Sequence, residues 1–181
     1  MMVHMEDADA LVAGVTQHFP ETCTAQEARR FDLVPRVAML SFSSFGSAKH
    51  PSCDKVRKAV ELLHIADPTL IVDGEIMADA AVSPEMLEQT YPFSSLKGGA
   101  NVLIFPDLAS ANIGYKLLKT IGGAETLGPI LMGMSRPVHL LARGAEMEEI
   151  VSVVAIAVVD ARETDLAPAI PEIEKSGVPA D

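Results

Sequence analysis

Short β-rich runs alternate with amphipathic stretches along most of the chain. Residues 35–42, PRVAMLSF, form an apolar run that ends in the polar loop SSFGSAKHP. Pro51 then opens a helical stretch, PSCDKVRKAVELLHIA, that sets Val56, Val60, Leu63 and His64 on or near one face. TLIVDG, 69–74, predicts a short strand, and SPEMLEQTY a helix with Ser83 as its cap and Pro84 in its first turn. ANVLIFP, 100–106, is apolar almost throughout, as expected of a parallel strand covered on both faces. Asp107 is placed to cap the next helix, LASANIGYKLLKTIGG, which stops at its glycine pair.

Five segments are less direct. MEDADALVAGV reads as a first helix with its acids at the positive end of the dipole, and AQEARRF as a second helical piece. GPILMG and RPVHLL are short apolar runs. EMEEIVSVVAIAVVDARE is too long for a strand, and its acidic start and late Arg162 match a helix dipole, which predicts a helix buried nearly all round. Strand and helix in succession imply a three-layer α/β/α domain with a mostly parallel sheet. Ligands of such sheets bind beyond the carboxyl ends of the strands. That expectation puts SSFGSAKHP, PDLASAN and ARGAE on one rim.

Composition narrows the partners. The 181 residues are 49% apolar with only 4% aromatics and no Trp, so the core must be aliphatic and Met-rich. A formal charge of −11 argues against a nucleic acid or an anionic membrane as partner. An anionic small molecule needs local groups such as Arg143, Lys49 or a helix N-terminus. Cys23 and Cys53 form no CxxC and read as ordinary thiols of a reducing cytosol. No run reaches the roughly 20 apolar residues of a membrane helix, and no signal-peptide pattern opens the chain. These features lead to the expectation of a soluble, cytoplasmic protein.

Each candidate site also has a plainer reading. Ser43, Ser44, Gly46, Ser47 and Lys49 could cradle phosphate oxygens, although an ordinary Ser-rich loop is the commoner case, and no Walker A pattern is present. Arg143-Gly144 suits an anion but also suits an exposed turn. Glu146, Glu148 and Glu149 can be first-turn carboxylates, or one of them a general base. Lys116 reaches an anion or solvent. His50 and His139 fall on the expected rim and His64 on a helix face, with no HExxH or other metal spacing. GxSxG and GxGxxG are both missing.

Taken together, DADALVAG, MLSFSSFGSAKHP, VDGEIMADAAV, ANVLIFPDLASANIGYKLL, GPILMGMSRPVHLLARG and IVSVVAIAVVDA resemble the phosphate acetyl/butyryltransferase family, in its order and over most of the chain. Phe45, where active transferases carry Lys in an STKGS loop, and PVHLLARG in place of PVNDLSRG make it most similar to the phosphotransacetylase-like C-terminal domain of bacterial NADP-dependent malic enzymes. The resemblance implies an isocitrate/isopropylmalate dehydrogenase-like fold, a homodimer, and acetyl-CoA or CoA as ligand, with no covalent cofactor and no metal in this domain. In a longer chain it also implies a malic enzyme catalytic domain as partner. It further implies roles for Arg143 on the acyl phosphate, Glu149 as base toward the CoA thiol, and Lys116 with Asn112 on the ligand. The family serine is Ala142 here, its base aspartate is Glu149, and an arginine that helps bind phosphate is Thr120.

Losing one preorganised donor costs about 10²–10³ in rate, and misplacing a base by about 1 Å costs around a hundredfold. The expectation is therefore an acetyl-CoA-binding regulatory and oligomerisation domain with degenerate catalytic residues. The alternative is an active phosphate acyltransferase, and a third reading is a fragment that only packs against a partner. Residues 1–163 are expected to be the C-terminal half of the family's domain, shortened near 21–25, and 164–181 a flexible tail.

Overall fold

A computed structural model of the chain describes residues 2–5, 8–14, 25, 28–29, 33–128, 130–131, 138–141 and 144–166. Among them, strands β1 (Met2–Met5), β2 (Ala8–Gly14), β3 (Arg36–Leu40), β4 (Ile71–Ile76), β5 (Val102–Phe105) and β6 (Glu125–Leu127) form one sheet in the order β4-β3-β5-β2-β1-β6. β4, β3, β5 and β2 are parallel, whereas β1 runs antiparallel to both β2 and β6. The helices are α1 (Pro51–Ala66), α2 (Ala78–Val82), α3 (Pro84–Thr90), α4 (Leu108–Thr120) and α5 (Met147–Leu166).

The period-two alternation of a strand divides the core into two layers. Val37 and Met39 of β3, Val72 of β4, and Val102 and Ile104 of β5 pack with Val56, Val60 and Leu63 of α1. Ala38, Leu40, Ile76 and Leu103 point the other way, against Ala80, Ala81, Leu87 and Leu96. Phe105 belongs to this second face, and α4 comes close there. A Cβ added at Gly114 would sit 2.9 Å from the Phe105 ring, so glycine permits that approach. Both faces of the parallel strands are thus covered, which accounts for the unbroken apolar run 102–105.

The helix caps follow the sequence. Ser83 accepts from Met86 N–H and Asp107 from Ser110 N–H, each closing a first turn. His50 caps α1 through Nδ1, which accepts from Ser52 N–H at 3.2 Å.

Two expectations change. The stretch expected to form the first helix, 5–15, instead contributes β2 and the end of β1, with Met5 registered opposite Ala8. Its backbone pairs with β5 on one edge and β1 on the other, and that long-range ladder overrides a local composition compatible with helix. The last long segment is a helix, α5, but only Ile156 and Asp160 are buried among residues 147–162. Met147, Val151, Val154 and Val158, spaced as one stripe, are 75%, 63%, 54% and 48% exposed. The helix also runs to Leu166, past residue 163 where the tail was expected to begin. AQEARRF is helical at Ala25, Ala28 and Arg29; its other residues, Pro129, Met132 and Gly133 of GPILMG, Arg136 and Pro137 of RPVHLL, and 167–181 lie outside the described residues.

A register shift between Met39 and Leu40 brings the end of β4 close under β3. Gly74 sits there at φ +143°, and a Cβ would meet the Met39 carbonyl oxygen at 2.5 Å. Gly74→Ala is expected to lower stability by at least about 1 kcal/mol. Thermal unfolding should report this as a Tm lower by about 2–4 °C for each kcal/mol.

Candidate functional site

The serine loop at the carboxyl end of β3 is organised around Glu75, the last residue but one of β4 and fully buried. Its Oε1 accepts from Ser43 Oγ at 2.8 Å, from Gly46 N–H at 2.8 Å and from Arg57 Nη1 of α1 at 2.9 Å. Its backbone carbonyl accepts from Phe45 N–H. Burial pushes the Glu75 carboxyl up. The hydrogen bonds from Gly46 N–H, the Ser43 hydroxyl, its own N–H and Arg57 outweigh that and hold it below the usual carboxylate range. Glu75 is therefore an anion inside the protein, with Oε2 buried and without a hydrogen-bond partner among the described residues.

This inward network uses the groups that the sequence offers to a ligand. Ser44 N–H donates to Ser47 Oγ, Ser47 N–H to the Ser44 carbonyl, and Ala48 N–H to Ser43 Oγ. Ser44 Oγ accepts from Met77 N–H. The hydroxyls of Ser43 and Ser44, and the N–H groups from Ser44 to Ala48, are thus engaged within the protein, not presented as an outward cradle. What faces solvent is Gly46, Ser47, Lys49 and His50. Phe45 takes φ +49°, uncommon for a side chain of its size. Its ring packs against Tyr91 and Phe93 at centroid distances of 5.2 and 4.9 Å.

A second site lies elsewhere. A cleft of about 560 Å³ is lined by Lys119, Ala124, Glu125, Thr126, Leu127, Gly144, Glu146, Glu148, Glu149 and Ser152. Glu149 Oε1 accepts from Lys119 Nζ at 3.1 Å, and its Oε2 lies 3.4 Å from Glu146 N–H. The hydrogen bond to Glu149 raises the Lys119 pKa, so this ammonium stays charged. One N–H at the α5 start, that of Glu146, is turned toward Glu149.

The serine loop and Asp107 do not share a rim with Gly144 and Glu146, which belong to the described part of ARGAE. Glu125 of β6 pairs with His4 of β1, which in turn pairs with Asp9, two residues ahead of the Leu11–Val102 pairing. The cleft beside β6 is therefore at the amino end of the strands, and the serine loop and Asp107 are at the carboxyl end. α4 connects the two ends, over roughly 18 Å at 1.5 Å per residue. Asn112, Lys116 and Thr120 stand at i, i+4 and i+8 on its exposed surface. No sequence signal distinguishes the two ends, because the position of ARGAE depends on strand pairing.

Arg143 and Ala142 lie outside the described residues. His139 pairs across an isolated bridge with Ile130, and its Nε2 is 3.1 Å from Asp160 Oδ2, an electrostatic contact without hydrogen-bond alignment. His64 is exposed. Among the described residues no helix is long and apolar enough to cross a membrane.

Residues 21–158 match the family model for phosphate acetyl/butaryl transferase. The chain belongs to the phosphate acetyl/butyryltransferase family. It is 48% identical over 140 residues to a phosphate acetyltransferase of Clostridium acetobutylicum, covering 77% of this chain and 42% of that protein. It is 46% identical over 140 residues to an NADP-dependent malic enzyme of Escherichia coli, covering 76% of this chain and 18% of the enzyme. The fold aligns with a phosphotransacetylase from Streptococcus pyogenes at TM-score 0.79 and 36% identity, over 92% of this chain and 53% of that one. The chain thus spans less than half the length of these two curated relatives. The three-layer arrangement is that of the phosphotransacetylases, as the sequence resemblance implied.

Because the folded pKa of Glu75 is depressed, the unfolded chain binds more protons as pH falls below the usual value near 4.3. The stability from Glu75 is present above that pH and lost as pH falls through the lower folded pKa. Urea midpoints measured from pH 6 to pH 3 should fall less steeply in Glu75→Gln than in the parent. The difference should stay below one proton, or about 1.4 kcal/mol per pH unit.

Proposed function

We propose that this chain binds acetyl-CoA or CoA as a regulatory and oligomerisation domain of a malic-enzyme-type protein, with transferase chemistry degenerate. The observation that carries this reading is the engagement of Glu149. A base toward the CoA thiol needs its carboxylate oriented toward the thiol. Glu149 has one oxygen on the Lys119 ammonium and the other toward Glu146 N–H. Four glutamates against one lysine among the described cleft residues also disfavour the acyl phosphate anion there. The replacements Ala142 and Thr120 act in the same direction by removing a hydroxyl and a cation. Lys49 and Lys116, both exposed, are left as cations for the phosphates of CoA. Arg143 is the further cation carried over from the family.

The second reading, an active phosphate acyltransferase, is favoured by the 48% identity to a protein named phosphate acetyltransferase. Titration calorimetry with acetyl-CoA should show binding, while acetyl-CoA formation from acetyl phosphate and CoA should not exceed background. Absence of binding in a folded sample would remove the first reading, and clear turnover would establish the second.

The homodimer belongs to the same proposal. Its proposed contact is the exposed apolar stripe Met147, Val151, Val154 and Val158 of α5. The proposed setting is the cytoplasm, with a malic enzyme catalytic domain as partner in a longer chain. Light scattering coupled to gel filtration should give twice the 19.2 kDa monomer mass, and Val154→Asp should return the monomer.

A further inference from the structure

We propose that Glu75, acting with Arg57, is a positioning residue that holds the serine loop in the shape presenting Gly46, Ser47 and Lys49 to a ligand at the carboxyl end of the sheet. The inference rests on the CoA-binding reading for the identity of that ligand, but not for the mechanical role.

Three segments meet at this one side chain. β4 supplies Glu75, the loop supplies Ser43 and Gly46, α1 supplies Arg57, and β3 leads into the loop. Three donors from two different segments converge on a single oxygen. Such convergence fixes angles as well as distances, because each donor restricts where the other two can lie. The loop has little else to define it on this side. Its remaining internal bonds run among Ser43, Ser44, Ser47 and Ala48, which hold the turn together without attaching it to the sheet. Attachment comes from Glu75 and from the Met77 N–H bond to Ser44. Phe45 adds a side contact, through its ring on Tyr91 and Phe93.

A core that needed only to be stable has no use for this arrangement. A buried carboxylate with one oxygen lacking a hydrogen-bond partner among the described residues is costly, and an apolar side chain of similar volume would avoid that cost. The charge makes sense if it sets a conformation. Arg57 carries the opposite charge from α1, where it also contacts Asp54, and so ties the loop to the helix that begins two residues beyond Lys49. The loop and the start of α1 therefore share one electrostatic anchor, and Lys49 lies between them.

Glu75→Gln tests this, because the amide oxygen can keep all three donors while the charge facing Arg57 disappears. Arg57→Gln removes the same charge pairing from the half-exposed side, and serves if Glu75→Gln does not fold. Hydrogen exchange is followed for the amides of 43–49 and, as an internal standard, for those of β3 and β5, alongside calorimetric titration with CoA. The expected result is exchange at least tenfold faster at Phe45, Gly46 and Ala48, unchanged β3 and β5, and CoA affinity at least tenfold weaker. Arg57→Lys, which keeps the charge, should recover most of both effects. Unchanged loop exchange overturns the proposal. Equal acceleration in loop and strands overturns it too, since Glu75 would then be a general stabiliser. If the parent protein binds no CoA but the loop alone loosens, the ligand reading fails and the anchor stands.

Discussion

The carboxylate of Glu75 is the interaction on which the carboxyl end of this sheet depends. It is fully buried, ionised, and bonded to a hydroxyl, a backbone amide and a guanidinium through one oxygen. Removing Arg57 leaves the buried carboxylate without its opposite charge, whereas Arg57, half-exposed, keeps its contact with water and with Asp54. Gly74 makes the geometry accessible: without a Cβ it can pass beneath the Met39 carbonyl and deliver Glu75 to the loop. Serines that read as ligand contacts are consumed in the same network. The loop becomes a rigid support for exposed groups such as Lys49, not a cradle of free donors.

The opposite end of the sheet has a different character. Lys119 and Glu149 meet across an acidic cleft, half exposed and open to screening, where an ion pair contributes about 0–1 kcal/mol. Its importance is chemical rather than energetic, since it occupies the carboxylate that the family pattern nominates as base. α4 runs between the two ends with Asn112, Lys116 and Thr120 along one exposed line. An extended ligand can contact such a line over most of the helix. The exposed valine stripe of α5 is a separate matter, since a helix this apolar is ordinarily covered.

Much of the fold is legible in residue order. Pro51 and the 3.6-residue spacing of Val56, Val60 and Leu63 specify α1, and Ser83 and Asp107 mark the starts of α3 and α4. These are local signals, whose physical cause lies within a few residues of the effect. Residues 5–15 mislead for the complementary reason. Their alanines and acids suit a helix, but β5 and β1 offer hydrogen-bonding edges far away in sequence, and pairing decides. The burial of α5 misleads similarly, because apolar composition specifies a preference for cover and cannot supply the neighbour.

At the candidate site the division is sharper. Residue identities alone determine that the chain carries a family loop, a Glu in place of the base aspartate, and Ala142 and Thr120 where a hydroxyl and a cation are expected. They determine the available chemistry, because each side chain brings its own donors, charge and reach. Only the tertiary structure decides which groups remain available. Ser43 and Ser44 are turned inward by Glu75 and Met77, Glu149 is taken by Lys119, and the serine loop and the α5 start are set at opposite ends of the strands. Glu75 itself reads as one carboxylate among many in the sequence. Its importance arises from burial and from donors that lie 18, 29 and 32 residues away, a convergence that strand pairing creates and that no local pattern encodes.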